Sequence, residues 1–183
     1  ITIAFALANV WCTWRLAKEV YDERAGLIAG LFMAISALQV RQGFLAAVDV
    51  PMTFWFTCAI WASVRLCERG ESRHYLLAGV LVGLAAGTKY PGAAAGIAVI
   101  AAHFVARRSF WHSNLWISGA AAIGVFITST PYSLLDFGTF WTHLSYQAQH
   151  ATAGRGEGVP AWFYHLWISL RYNVGVLGQL SLI

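Results

Sequence analysis

The sequence predicts an all-α fold, a polytopic transmembrane bundle of about six to seven spans. Two observations carry this prediction. Hydrophobic residues make up 58% of the 183 residues and charged residues only 11%, whereas soluble domains carry about 25% charged residues. The apolar residues also form successive runs, many near the ~20 residues that a helix needs to cross a bilayer. We therefore treat residues 1–183 as one transmembrane domain and, because both ends lie in apolar runs, expect a fragment of a longer multi-pass protein.

The first half of the chain divides into three predicted helices. The first covers residues 1 to about 20, and the second covers residues 25 to about 40. A connection at 41–51 leads to the third, which begins near residue 50 and extends to about residue 67. In the second helix, small residues at four-residue spacing let a neighbouring helix approach closely. These small residues are Gly26, Gly30 and Ala34.

Residues 75–106 are almost wholly apolar, yet they are long for one span and short for two. The interruption at 88–92 predicts a hairpin of two short helices joined by a tight turn. A second stripe of small residues, Gly79, Gly83 and Gly87, precedes this turn and predicts another close helix contact.

The next span begins at residues 115–128 and stops at Pro131. Residues 133–160 are polar enough to leave the bilayer, and we expect them to form an extracytoplasmic loop. Apolar residues at three- and four-residue spacing from Phe137 to Ala148 predict an amphipathic surface helix in this loop. The glycine-rich residues 153–158 are either a lid or a linker, and the chain returns to the membrane from residue 161.

The twelve basic residues divide unequally between the two predicted sides of the membrane. They cluster in short gaps between apolar runs, which argues against nucleic acid as a partner. The side richer in Lys and Arg is expected to be cytoplasmic, so the candidate site residues below share the extracytoplasmic side. The richer side holds Arg15, Lys18, Arg24, Arg65, Arg69, Arg73, Arg107 and Arg108, and the poorer side holds Arg41, Lys89, Arg155 and Arg171.

Asp49 is the candidate catalytic residue. It is the one acid between Glu23 and Glu68, and it precedes Pro51, a residue that suits a first helical turn. A carboxylate at this place can bind an acceptor, hold a divalent metal against a phosphate or act as a general base. A helix cap is the structural alternative, and the sequence leaves both interpretations open.

Lys89 and Arg41 are the candidates for binding the phosphate of a lipid-linked donor. A lysine ammonium suits a phosphate as a point charge, and the start of the helix after Pro91 adds N–H donors. Snorkelling at the bilayer boundary is the alternative for Lys89. Tyr90, in the same turn, is expected to contact the substrate.

The predicted loop adds His143, His150 and Arg155 as candidate substrate-contacting residues. The two histidines are seven residues apart, not at the i, i+4 spacing that places two imidazoles on one metal ion. We therefore predict no metal site for them, and a divalent metal at Asp49 stays an open alternative.

Several stretches together resemble one family of membrane enzymes. They are RAGLIAGL at 24–31, Asp-Val-Pro at 49–51, GLAAGTKY at 83–90 and TPYSLLD at 130–136. In order and spacing they resemble polytopic GT-C glycosyltransferases, in particular the bacterial relatives of dolichyl-phosphate-mannose–protein mannosyltransferases (glycosyltransferase family 39).

The resemblance implies transfer of a hexose or pentose from a polyprenyl-phosphate donor to a protein, lipid or glycan outside the cytoplasmic membrane. The implied reaction is an inverting displacement with the lipid phosphate as leaving group. By motif position, Asp49 matches the family's second-loop acid and Lys89 its phosphate-side lysine. The family's principal acid lies in the loop after the first helix, and no such loop precedes the first span here.

Two other classes compete with the transferase. A multi-pass transporter or flippase also places charges in glycine-broken apolar helices, but it predicts ionisable residues near mid-membrane and repeated halves. A structural membrane subunit predicts instead that Asp49 and Lys89 tolerate substitution.

Overall fold

The computed structural model describes residues 1–106 and 112–152, the last three as backbone only. The described part is helical and has short connections, which confirms the all-α class for these residues. Its helices are α1 (Thr2–Val20), α2 (Glu23–Ile35), α3 (Ala37–Phe44), α4 (Asp49–Arg69), α5 (Ser72–Thr88), α6 (Ala95–Val105), α7 (Ser113–Ser129), α8 (Tyr132–Leu135) and α9 (Phe137–Thr152), with a 3-10 turn, Tyr90–Ala94, between α5 and α6.

The predicted second helix is wrong in one respect, because it breaks at Ser36 into α2 and α3, which are bent by 50°. The Ser36 hydroxyl accepts the Gln39 N–H at 3.4 Å, so this residue caps α3. Consequently α3 runs to Phe44, into the stretch expected to be a connection. A continuous apolar pattern across the break hid it from the sequence.

Glycines set the packing of α2 on α1, as the stripe of small residues predicted. A Cβ at Gly26 would lie 2.9 Å from both the Trp14 carbonyl oxygen and Lys18 Cβ. A Cβ at Gly30 would lie 3.1 Å from Trp14 Cβ. Only residues without a side chain allow this approach, whereas Ala34, the third member of the predicted stripe, is exposed.

The predicted hairpin at 75–106 is confirmed as α5, the 3-10 turn and α6. Tyr75, near the start of α5, and His103, near the end of α6, are hydrogen-bonded through the Tyr hydroxyl and Nδ1 at 2.7 Å. Both side chains are fully buried. The hairpin packs on α4 to form the core, whose buried residues are Ala59, Ala62, Leu66, Tyr75, Ala78, Val82, Ala95 and Val99.

The second glycine stripe seats α5 against α7. A Cβ at Gly83 would lie 2.6 Å from the Ala122 carbonyl oxygen and 2.8 Å from Val125 Cβ. Gly79 and Gly87 lie as tightly against Ser118 and Ser129. The contact brings the carboxyl ends of α5 and α7 together, and this juxtaposition positions the site.

The predicted surface helix is present as α9. Asp136 begins it, since its Oδ1 accepts the Thr139 N–H at 3.2 Å. Phe137 and Trp141 on this helix are more than half exposed. The expectations for Arg107 and Arg108, for the glycine-rich residues 153–158 and for a span from residue 161 lie outside the described residues.

By length and composition, α4 is the one described helix that could cross a membrane, and the bent α2–α3 pair adds a second if it counts as one span. The apolar helices at 90–105 and Ser113–Ser129 are shorter. The expected six to seven spans therefore stay a prediction.

Candidate functional site

An ion pair joins the two strongest candidates from the sequence. The Lys89 Nζ donates to Asp49 Oδ1 at 2.6 Å. About a third of each side chain is exposed, 34% for Lys89 and 37% for Asp49. The two residues are 40 positions apart, so the contact depends on the packing of α5 against α4.

Local backbone structure aims both side chains at this place. Asp49 is the first residue of α4, and the N-cap before it is Val48, which makes no side-chain cap. The carboxylate therefore binds Lys89 instead of capping its helix. Lys89 follows α5 in an extended conformation, and its carbonyl accepts the Gly92 N–H at 2.8 Å to close the turn.

A cavity of about 240 Å³ lies beside Asp49, between the α2–α3 bend and the first turns of α4. Gln39, Gln42 and Thr53 supply polar groups to its lining. The Gln39 Nε2 is buried and has no hydrogen-bond partner among the described residues. Unpaired buried donors are uncommon, and this one belongs to a residue that lines the same cavity as the carboxylate.

A second, larger cavity of about 500 Å³ lies beyond the Lys89 turn. It is an open cleft, lined by residues of the 3-10 turn, the end of α7, α8 and the first half of α9. Tyr90 and His143, two of the predicted substrate-contacting residues, both line it. The structure thus brings Tyr90 and His143 together in one cavity, and Tyr90 is the residue that follows Lys89 of the ion pair.

Arg41 is not brought to the ion pair. It lies in the last turn of α3, its side chain is exposed, and it lines neither cavity. The predicted role of Arg41 in binding phosphate stays a prediction. The side chain of His150 and the whole of Arg155 lie outside the described residues.

The opposite end of the bundle holds a polar network that the sequence did not reveal. Glu19 Oε1 accepts from Arg65 Nε at 2.9 Å, and Oε2 accepts from Arg65 Nη2 at 3.0 Å and from Trp61 Nε1 at 2.7 Å. The Arg65 guanidinium also lies 4.4 Å from the centre of the Trp61 ring. These contacts join α1 to α4, and both oxygens of the carboxylate are hydrogen-bonded. We therefore assign the network a structural role.

The sequence did not single out Gln39 and Asp136 as site residues. Each is a polar residue at the Lys89 end of the bundle, and Asp136 ends the TPYSLLD stretch. Gln39 lines the cavity beside Asp49 and Asp136 lines the cavity beside Tyr90. The position of Gln39 depends on the bend at Ser36, which has no clear signal in the hydropathy pattern. Across residues 1–106 and 112–149, no three His, Cys, Asp or Glu side chains come together as metal ligands.

Comparison with known proteins decides the family. The sequence profile described as dolichyl-phosphate-mannose-protein mannosyltransferase matches residues 1–133, which is well over half of the chain. The chain belongs to this family. The family resemblance seen in the sequence is confirmed.

One curated relative is the undecaprenyl phosphate-alpha-4-amino-4-deoxy-L-arabinose arabinosyl transferase of Pseudomonas aeruginosa (strain UCBPP-PA14). It is 25% identical over 173 residues, an alignment that covers 88% of this chain and 31% of the relative. The chain therefore spans about a third of the length of that relative. No solved structure matches the chain significantly.

Proposed function

We propose that this chain is part of a membrane glycosyltransferase that moves a sugar from a polyprenyl-phosphate donor to an acceptor on the extracytoplasmic face. The acceptor class is a protein, lipid or glycan, and the sugar is a hexose or pentose. The observation that carries the proposal is the Asp49–Lys89 ion pair in a chain of this family, with Asp49 in the lining of one cavity and Tyr90, the residue after Lys89, in the lining of another.

Lys89 is the residue proposed to bind the donor phosphate. An ammonium has three donors, and Asp49 is its one hydrogen-bond partner among the described residues. Two N–H donors and about a third of the side-chain surface remain available to an anion. Snorkelling alone does not explain a lysine held at 2.6 Å by a carboxylate from another helix.

Asp49 is proposed to act mainly through Lys89. In inverting glycosyl chemistry the nucleophile is activated on the face of the sugar opposite the leaving group. A carboxylate paired with the cation that holds the leaving phosphate lies on the leaving-group side. The geometry therefore favours Asp49 as a positioning residue that fixes the Lys89 ammonium, in place of the general base.

The membrane part of the proposal is supported by the surface of α2. Large apolar side chains here are about half exposed or more, and extended apolar surface marks contact with lipid or with other protein. The basic residues, in addition, favour the Glu19–Arg65 end as the cytoplasmic side, which puts Lys89 outside. The exposed residues on α2 are Leu27, Ile28, Leu31, Phe32 and Ile35.

The test is transfer of a radiolabelled sugar from undecaprenyl-phosphate donors by the full-length protein. Removing one preorganised charged donor costs about 10²–10³ in turnover, so Lys89→Ala should lose transfer on this scale, while Lys89→Arg keeps part of it. Lys18→Ala is the matched control, because Lys18 pairs with Glu23 at the other end. Equal turnover in wild type and Lys89→Ala would refute the assignment of Lys89.

The side of the membrane is tested by cysteine labelling in intact cells, on a background without Cys12, Cys58 and Cys67. Tyr132→Cys, at the Lys89 end, should react with an impermeant maleimide, because Tyr132 is 74% exposed. Glu71→Cys, at the other end, should react only after the membrane is opened. The reverse pattern would place the ion pair on the cytoplasmic face.

A further inference from the structure

We infer that the 500 Å³ cavity beside the Lys89 turn is a sugar-binding subsite, built to take one polyhydroxylated ring. Its choice of ligand rests on the proposed function, but the evidence for a built site is independent of the Asp49–Lys89 pair. The volume falls within the ~300–1,000 Å³ range of small-molecule sites.

The aromatic side of the cavity comes from Tyr90 and Phe140. Their ring centres are 5.6 Å apart and the planes are nearly perpendicular, at 89°. Phe126 lies behind both rings, 6.5 Å from Tyr90 and 6.2 Å from Phe140. These contacts fix the rings before a ligand arrives, and rigid aromatic faces cover apolar surface at low entropic cost.

The polar side comes from the end of α7, α8 and the start of α9. Asp136 holds α9 through Oδ1, and its Oδ2 has no hydrogen-bond partner in the described part of the chain. His143, one turn beyond Thr139, adds an imidazole to the lining. Together these groups offer both acceptors and donors of hydrogen bonds.

Ser133 gives a second and separate indication of a ligand. It lines the cavity, is only 7% exposed, and its Oγ is buried with no hydrogen-bond partner among the described residues. A buried hydroxyl left unpaired costs free energy. A ligand with its own hydroxyl groups relieves that cost, whereas an apolar lipid tail does not.

A sugar matches this combination of surfaces. One face of a pyranose ring presents C–H groups that pack on an aromatic ring, and the edge presents hydroxyls that exchange hydrogen bonds with carboxylate, imidazole and serine. Tyr90 directly follows Lys89, and this adjacency in the chain connects the cavity to the proposed phosphate position, since Lys89 itself does not line the cavity. The ring therefore belongs either to the donor or to the acceptor.

The experiment measures maleimide labelling of Thr139→Cys in the purified full-length protein without its native cysteines. Thr139 lines the cavity and is exposed, so this change is expected to fold. Thr142→Cys is the matched control, because Thr142 lies outside the lining on the same helix. Methyl glycosides of hexoses and pentoses are added at about 50 mM, above the millimolar constants of weak single-ring sites.

At least one glycoside should slow labelling of Thr139→Cys at least about 3-fold, as a glycoside concentration of at least about twice the dissociation constant requires, and leave Thr142→Cys unchanged. Adding Phe140→Ala should abolish this protection, while Trp141→Ala, an exposed neighbour that does not line the cavity, should keep it. If sugar-bearing undecaprenyl phosphate protects Thr139→Cys, and glycosides then add no further protection, the ring belongs to the donor. Glycoside protection that persists with this donor bound assigns it to the acceptor.

Two results would overturn the inference. One is the absence of protection by every glycoside and every sugar-bearing carrier. The other is equal protection by undecaprenyl phosphate without a sugar, which would mean that the cavity takes the carrier. Because labelling needs no turnover, a protein that transfers no sugar but shows glycoside protection would contradict the proposed function and leave the subsite standing.

Discussion

At one end of the bundle, Glu19 receives three hydrogen bonds from Arg65 and Trp61, and Tyr75 is paired with His103 in the core. At the other end, Lys89 has Asp49 as its one partner in the described chain; Asp49 lines one cavity, and Tyr90, the residue after Lys89, lines another. The Glu19 carboxylate and the Tyr75 hydroxyl are paired within the bundle, as in structural networks, although Trp14 Nε1, Arg15 Nε and His74 Nδ1 at this end are buried without a hydrogen-bond partner among the described residues. The second end differs because its unpaired polar groups, Gln39 Nε2 and Ser133 Oγ, belong to residues that line cavities, and binding a ligand requires a concave site with polar groups.

The difference between these two ends is tested most directly by substituting two aspartates, each of which lies at the start of a helix. Asp49→Asn should reduce transfer roughly 10²-fold, because a cation displaced by about 1 Å loses that much, and leave folding intact. Asp22→Asn should leave transfer unchanged, because Asp22 caps α2 through the Ala25 N–H and Asn caps as well as Asp. The measurement is initial transfer rate per folded protein.

A pH profile separates positioning from base catalysis in that variant. If Asp49 fixes Lys89, Asp49→Asn should keep the shape of the kcat profile against pH and raise the KM of the donor. Loss of the acidic limb of the profile, with KM unchanged, would instead identify Asp49 as the general base.

Helix packing should show the next largest effect. Gly83→Ala forces a Cβ to within 2.6 Å of the Ala122 carbonyl oxygen, and such overpacking costs about 1–3 kcal/mol. Gly124→Ala on α7 meets nothing within 4 Å and should leave stability unchanged or slightly higher. Thermal unfolding of the full-length protein in detergent checks this pair, and equal melting temperatures would contradict the α5–α7 contact.

The Tyr75–His103 bond sharpens the comparison from the structural end. Tyr75→Phe keeps the ring in the core but removes the hydroxyl bonded to His103 Nδ1, and a hydrogen bond of this kind is worth about 1 kcal/mol. Transfer per folded molecule should not change. A fall in turnover without a fall in melting temperature would assign this end a part in catalysis.

Glu19→Gln should have the smallest effect. The carboxylate and the guanidinium are 26% and 37% exposed, and partly solvated ion pairs contribute about 0–1 kcal/mol. A double-mutant cycle with Arg65→Met measures the coupling. A coupling well above that range would mean that this network, and not the helix packing, holds α1 to α4.

The sequence was sufficient to predict the hairpin and the common end of Asp49 and Lys89. The turn residues 88–92 and the distribution of basic residues both pointed there, and the glycine stripes predicted which faces pack closely. It could not predict the contact at 2.6 Å between Asp49 and Lys89, because that contact depends on the axial position of α5 relative to α4. The bend at Ser36 was missed because apolar residues continue across it.

The larger cavity shows the same limit. Tyr90 and His143 were singled out separately, one in a turn and one on a predicted surface helix. Their shared cavity needs the close approach of α5 to α7 at Gly87 and the reversal of the chain between α7 and α9. The hydropathy pattern specifies neither which helix approaches Gly87 nor the direction in which the chain reverses. In the sequence, Arg41 and Lys89 were both basic residues on the predicted extracytoplasmic side. The structure distinguishes them, because Arg41 is exposed on α3 whereas Lys89 is half-buried.

Equilibrium binding of undecaprenyl phosphate without a sugar to the full-length protein tests the central claim, that Lys89 binds the donor phosphate. We expect Lys89→Ala to raise the dissociation constant at least about 10-fold, the equivalent of ~1.4 kcal/mol, while Lys89→Arg raises it less. Lys18→Ala should bind as tightly as wild type. Equal dissociation constants for wild type and Lys89→Ala would contradict the claim and reduce the Asp49–Lys89 pair to a structural contact.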